Sequence, residues 1–231
     1  MQTSIHEVKR GIARCFIVSS EGAVLVVDTG VSGGEPGHWQ RAFGAAGTRP
    51  DQTRLIVITH GHDDHTGGAA ELVAITGAPV AMHRDDAAWL DKGQAVPAVP
   101  AGWMKAFGFL MRGGLEKRLM GPAPRFRRDI LLGDEDFPLQ PYGIQGRVVA
   151  TPGHTRGSVS VVLDNSDAFV GDLAMSGMPA LPPYPAAPVI AADIVAVRAS
   201  WQRLLDLGAR QFYPAHGAPF SAAALQRLLA R

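Results

Sequence analysis

Thr59-His60-Gly61-His62-Asp63-Asp64-His65-Thr66-Gly67-Gly68 is the stretch that decides the reading, because it crowds three imidazoles and the Asp64 carboxylate into six positions. It grows out of Leu55–Thr59, a short run of the kind expected for a strand buried on both faces. Behind it the small residues of Gly67–Thr76 predict a helix. The ligand-type side chains therefore fall on a loop at the carboxyl end of a strand, where open α/β sheets bind their ligands. His60 and His62 are two apart, so in extended backbone their side chains leave the same side, roughly 6–7 Å apart at Cα. Imidazoles at that spacing can converge on one ion at about 2.0–2.1 Å. Asp64 and His65 lie where the chain turns into the helix and can point toward a second ion. Gly61, Gly67 and Gly68 allow close backbone packing around them.

Working outward, strand and helix signals alternate. Ile12–Ser20 and Ala23–Asp28 are rich in β-branched residues on either side of a Ser-Ser-Glu-Gly turn and predict a hairpin. A glycine-rich loop leads to a helix over His38–Ala46, and a strand at Pro79–His83 precedes a helix at Asp85–Leu90. Further strands are predicted near Ile130–Leu132, Arg147–Thr151, Ser158–Leu163, Ala168–Val170 and Gln211–Tyr213, with helices at Ile190–Leu207 and Ser221–Ala230. The two halves share a sheet-then-helix order, which suggests one pseudo-duplicated α/β sandwich spanning residues 1–231. Gln94–Arg128 interrupts the pattern with Pro97, Pro100, Pro122 and Pro124 among Trp103, Met104, Phe107, Phe109, Leu110 and Met111.

Three more ligand-type residues stand at strand ends. His154 lies in Thr151-Pro152-Gly153-His154-Thr155, Asp172 follows Phe169-Val170-Gly171, and His216 follows Phe212-Tyr213-Pro214-Ala215. A lone histidine there is ordinarily structural; three separate strand ends carrying such residues shift the balance. Five imidazoles and two carboxylates suit zinc, iron or manganese better than calcium or magnesium, and the absence of thiolates disfavours copper(I).

The run His60-x-His62-x-Asp64-His65, with Thr-Pro-Gly-His154-Thr, Gly-Asp172, Pro-Ala-His216-Gly and the Val-Leu-Val-Val-Asp28-Thr-Gly segment, resembles the metallo-β-lactamase-fold superfamily, with the motifs in the family's order from Asp28 to His216. That resemblance implies a four-layer αβ/βα sandwich of two mixed β-sheets flanked by helices. It implies one metal on His60, His62 and His154, another on Asp64, His65 and His216, and Asp172 between them, with Asp28 bracing the ligand loop from behind. Two ions, zinc by expectation with iron or manganese as alternatives, would share a hydroxide formed near neutral pH and directed at a carbonyl or phosphoryl centre. The catalytic set is then His60, His62, Asp64 and His65, with no serine or cysteine nucleophile.

The substrate is less constrained. Retention of Asp172 is similar to the glyoxalase II-like, lactonase-like and nucleolytic branches. Glyoxalase II itself continues into a helical glutathione-binding domain, whereas fifteen residues follow His216 here, so a glutathione thioester of that exact type is not the expectation. The apolar residues of Gln94–Arg128 suit a thioester, lactone or related ester with an apolar acyl part. Gln94–Arg128 reads either as its cover, with Arg112, Lys117, Arg118, Arg125, Arg127 and Arg128 meeting an anionic portion, or as a helical excursion with a solvated basic face. It could equally pack between two subunits of a homodimer. Three other classes stay open: a mononuclear iron persulfide dioxygenase-type enzyme using His60, His154 and Asp172, a phosphodiesterase or nuclease, and a non-catalytic binding module. A formal charge of +1, with 46% hydrophobic and 19% charged residues, gives no global field for nucleic acid or an anionic membrane. Without a secretory signal, a membrane-spanning run or more than the single Cys15, the expectation is a cytoplasmic protein acting on a small molecule. His83, Tyr142, Tyr184 and Tyr213 remain as accessory candidates, His83 with a structural role expected and Tyr184 as the tyrosine of most interest.

Overall fold

Strands that must bury both faces can be apolar at every position, and here the two faces of the central strands enter different cores. The computed structural model describes residues 3–33, 35, 37–101, 125–176 and 185–230. Its first sheet runs β1 (Thr3–Arg10), β2 (Ala13–Ser20), β3 (Ala23–Val27), β4 (Thr53–Val57), β5 (Val80–His83) and β6 (Ile130–Leu132) in chain order. The second contains β7 (Phe137–Pro138), β8 (Gly146–Ala150), β9 (Val159–Leu163), β10 (Asp167–Gly171), β11 (Gln211–Pro214) and β12 (Phe220–Ser221), also neighbouring in chain order. Both sheets are mixed: β3 to β6 pair in parallel behind the antiparallel β1–β2–β3 meander, and β10 and β11 are parallel within an otherwise antiparallel sheet.

Period-two alternation sorts the side chains. Phe16, Val18, Leu25, Val27, Leu55 and Val57 face Val148, Val161 and Phe169 of the other sheet across the central layer. Cys15, Ile17, Val24, Val26, Ile56 and Ile58 point the other way, against helices α1 (His38–Ala45), α3 (Ala69–Thr76) and α4 (Arg84–Asp91). Between α1 and α3 lies α2, the single turn Asp63–Thr66. On the second sheet Val149, Val162, Ala168 and Val170 pack against α5 (Ile194–Asp206) and α6 (Ala222–Leu229). The result is the expected helix–sheet–sheet–helix sandwich. Phe16 and Phe169, with ring centroids 5.0 Å apart, mark the seam between the sheets, and Tyr213 stacks on Phe169 there. No helix among the described residues is long and apolar enough to cross a membrane.

Several boundaries differ from the sequence reading, each for a physical reason. Strand β1 had no clear signal; it pairs with β2 on one side only and is half buried along most of its length. The helix expected from Ile190 begins at Ile194, because Val189 and Ala191 exchange backbone hydrogen bonds with Ala101 and Val99. Asp193 then caps α5, accepting from the amides of Val195 and Ala196 at 2.8 and 3.1 Å. The helix expected over 67–76 begins at Ala69, since Gly67 and Gly68 run directly against the backbone of Thr29, Val31 and Ser32. The Gln94–Arg128 expectation falls mainly on residues 102–124, outside those described. At its far end Arg127 donates to the carbonyls of Gly77 and Ala78 and Arg128 pairs with Asp91, so both fasten the chain rather than presenting free charge.

Trp201 is 2% exposed and its indole donates to the Leu173 carbonyl at 2.9 Å. Trp201→Ala is expected to cost about 3–5 kcal/mol, and Asp193→Ala about 1 kcal/mol. Both should appear in urea unfolding as a lower midpoint at unchanged slope.

Candidate metal centre

All seven predicted ligand residues meet at one edge of the sandwich. Asp28 and His60 follow the ends of the parallel strands β3 and β4, while His154, Asp172 and His216 follow β8, β10 and β11 of the other sheet. Two cross-sheet hydrogen bonds hold that edge together: Val159 donates to the Thr59 carbonyl and Arg14 to the Ala215 carbonyl, both at 2.8 Å.

The donors fall into three overlapping groups, His60–His62–His154, His60–His65–Asp172 and Asp64–His65–His216, each with its donor atoms within 4.8 Å of one another. In the first, His60 Nε2, His62 Nδ1 and His154 Nε2 form a triangle with sides of 3.0–3.1 Å. His154 Nδ1 donates to the Ile190 carbonyl at 2.7 Å, and His60 Nδ1 faces the Thr59 hydroxyl at 3.2 Å. His62 turns Nε2 outward, where it is buried beside the Pro97 backbone. The three inner ring nitrogens thus converge within hydrogen-bonding distance of one another, the tautomer deciding which of them donates. Burial holds all three imidazoles below the usual histidine pKa, His154 at about 4, so they stay neutral and available as ligands.

The second group has the opposite electrostatics. His216 Nε2 is 3.1 Å from Asp64 Oδ2 and 3.3 Å from Asp172 Oδ1, and His65 Nε2 is 3.3 Å from Asp172 Oδ1. Burial opposes charge on both imidazoles, but the surrounding carboxylates outweigh it: Asp172 and Asp64 raise His216 to about 10, and Asp28, Asp64 and Asp172 raise His65 well above its ordinary value. Burial likewise works against ionised Asp172, yet the His216 and His65 charges draw it well below the carboxylate range. Asp172 reaches both groups, its Oδ2 lying 3.6 Å from His154 Nε2. His65 Nε2 and Asp172 Oδ1 are buried and lie outside hydrogen-bond geometry, an arrangement that a cation between them would resolve.

Outer contacts set each ring's orientation. Asp28, buried and at φ +59°, accepts the Thr59 amide at 2.7 Å, the Thr59 hydroxyl at 2.8 Å and His65 Nδ1 at 2.8 Å. His216 Nδ1 donates to the Ile12 carbonyl at 3.1 Å. Sequence reasoning missed Thr59, Ile12, Ile190 and the buried Asp86; the two carbonyls carry no side-chain signal at all. His83 has the structural role expected of it, accepting the Asp85 amide at the start of α4. Tyr142 packs beside Phe137, and Tyr213 lies over the inter-sheet seam, so neither joins the ligand cluster. Tyr184 falls outside the described residues. Cys15 is fully buried in the outer core, which pushes its thiol pKa up.

The family model of the metallo-beta-lactamase superfamily matches residues 8–216. A metallo-beta-lactamase fold-containing protein of Sulfurisphaera tokodaii is 29% identical over 168 residues, 71% of this chain and 57% of its own length. A hydroxyacylglutathione hydrolase of Acidiphilium cryptum is 31% identical over 135 residues, 58% of this chain and 40% of its own. The chain spans about half the length of the curated relatives it matches. Among solved structures, the archaeal superfamily protein ST1585 from Sulfolobus tokodaii superposes with a TM-score of 0.66 at 21% identity, covering 99% of this chain and 84% of that one. TTHA1623 in a di-iron-bound form gives 0.64 at 22% identity, covering 97% and 98%. At such identities the structural likeness speaks for the fold alone. The family match across most of the chain does more, and together with the convergence of every motif at one sheet edge it places this protein in the metallo-beta-lactamase superfamily.

Proposed function

We propose that the chain is a dinuclear metal-dependent hydrolase acting on a thioester, lactone or related ester of a small molecule. The observation that carries this reading is the His60–His62–His154 triangle, three buried imidazole nitrogens converging within 3.0–3.1 Å of one another beside the Asp64–His65–His216 group. Those three residues would hold one ion, and Asp64, His65 and His216 a second, with Asp172 reaching both. Nitrogen-rich and carboxylate donors in this mixture favour zinc, with iron as the alternative that the di-iron form of TTHA1623 brings forward. Two divalent ions held there would acidify a shared water toward neutrality and polarise the electrophilic oxygen.

The chain's own groups supply the rest. Asp64 has the most exposed side chain of the ion-paired ligands, 22% against 6% or less for His65, Asp172 and His216, so approach from solvent is over this carboxylate. There it accepts a hydrogen bond from the attacking water and directs its lone pair at the acyl carbon. Addition of that oxygen and cleavage of the C–S or C–O bond leave a carboxylic acid and a thiol or alcohol, the water proton passing to the leaving group. Outer contacts from Asp28, Ile12 and Ile190 hold His65, His216 and His154 in the required tautomers. Among the relatives' names, hydroxyacylglutathione hydrolase supports acyl chemistry and probable metallo-hydrolase supports metal-dependent hydrolysis. The complete Asp64–His65–His216 group argues against a mononuclear iron oxygenase, and a formal charge of +1 against nucleic acid as substrate.

Metal analysis of protein purified without chelator is expected to give about two ions per chain. Metal-dependent turnover of a thioester and lactone panel should exceed that of bis(p-nitrophenyl) phosphate. One iron per chain with persulfide-dependent oxygen uptake, or faster phosphodiester cleavage, would overturn the assignment.

Metal-free protein should carry protons on His65 and His216 at neutral pH, while His60, His62 and His154 stay neutral. Filling the site should therefore release about two protons, seen as buffer-dependent heats in titration calorimetry. Because both groups have raised pKa values, protons compete more strongly as pH falls, so affinity at the Asp64–His65–His216 group should rise with pH. Asp28→Asn leaves an amide nitrogen facing a donor and is expected to weaken binding at that group by about 10–100-fold, measured by competition with a chromophoric chelator.

A further inference from the structure

The side chain that ties the two halves of the triad together is neither a ligand nor a neighbour of one in sequence. Asp86, in the first turn of α4, is 1% exposed and spends both carboxylate oxygens on the loops carrying those imidazoles. Oδ2 accepts the Gly61 amide, between His60 and His62, at 2.8 Å, and also the Thr155 hydroxyl, next to His154, at 2.8 Å. Oδ1 accepts the Gly157 amide at 3.0 Å. The fit is close on both sides. A Cβ on Gly157 would come within 2.6 Å of Oδ1, and one on Gly61 within 3.2 Å of the Asp86 Cβ. Next to it Asp85 pairs with Arg156 at 3.0 Å, so the first turn of α4 grips residues 155–157 from two points.

We propose that Asp86 is the positioning residue of the His60–His62–His154 ion, setting the triangle's dimensions by clamping a loop of the first sheet to a loop of the second. It complements Asp28, which touches His65 directly and braces the other group. A carboxylate in this place has a reason beyond packing. His60 and His62 leave one sheet and His154 the other, so their relative placement is non-local, and a shift of a few tenths of an ångström between the loops is felt at the metal distance. One acceptor shared by Gly61 and Thr155 removes that freedom.

The inference rests on the metal-site reading above, and its test separates the two. Cobalt(II) affinity is measured for wild type, Asp86→Asn and Gly157→Ala by chelator competition, with the visible cobalt spectrum recorded and the melting temperature of each metal-free protein determined. Asp86→Asn keeps the volume but sets an amide N–H₂ against at least one of its three donors; Gly157→Ala keeps the carboxylate and displaces it. Both are expected to weaken one cobalt ion by about 10–100-fold and to alter its absorption bands, while the second ion's affinity changes less than about threefold. Thr155→Val, which removes only one of the three bonds, should lie between them and wild type. Equal weakening of both ions in step with a lowered melting temperature would mean a general structural role and overturn the proposal. So would unchanged cobalt affinity and spectrum in Asp86→Asn and Gly157→Ala. If wild type itself takes up no metal, the metal-site reading fails and this inference fails with it.

Discussion

The Asp28 carboxylate meets the Thr59 amide, the Thr59 hydroxyl and the His65 imidazole in one buried place, and the ligand loop hangs from those contacts. Two adjacent parallel strands end there, β3 running into Asp28 and β4 into Thr59, and the carboxylate spans the gap between them. It does so from a left-handed backbone conformation that an aspartate adopts at some cost, offset by three hydrogen bonds made at once. Once Thr59 is held, the next residue projects His60 off the strand end. Once His65 is held through Nδ1, only its Nε2 can face the centre. The backbone repeats the lock, with the amide and hydroxyl of Thr29 both donating to the His65 carbonyl.

Crowding this many ionisable groups into a buried edge is unfavourable unless charges are paired and directed. The site divides the problem in two. Where only imidazoles meet, burial keeps them neutral; where carboxylates surround them, the imidazoles take up protons and form an ion-paired cluster. In the metal-free fold the carboxylate side has internal counter-ions, whereas the triad side holds only neutral imidazoles in contact with one another. A cation would displace ring protons on the carboxylate side and meet neutral imidazoles on the triad side, so the two halves of one site respond to pH differently.

How much of this was legible in the sequence follows from locality. The sandwich could be read because strands such as Leu55–Val57 and Val161–Leu163 are apolar on both faces, a pattern that sheets covered on both sides produce. The cluster of ligand-type residues was legible because His60, His154, Asp172 and His216 each stand within a few residues of a strand's end. Strand β1 was missed because an edge strand with one partner carries a weak pattern, and β7 and β12 because two residues carry none. The outer shell was missed for a different reason. Ile12 and Ile190 act through backbone carbonyls, and any residue has one. Asp86 looks like an ordinary acidic residue at a helix start until the fold brings Gly61 and Gly157 against it.

The same non-locality says where the site's stability comes from. His60 and His62 belong to one sheet, His154, Asp172 and His216 to the other, so the donor set exists only while the sheets are docked. Docking is set by the apolar layer of Phe16, Leu25, Leu55, Val161 and Phe169, and is fastened at the functional edge by the Val159–Thr59 and Arg14–Ala215 hydrogen bonds. Any ion that binds residues from both sheets must favour the docked state by its own binding free energy. Core packing and metal affinity are thus linked quantities in this fold. A substitution in the central layer that loosens the seam without unfolding the chain reaches the ligands, because the distances that matter at the metal are distances between the sheets.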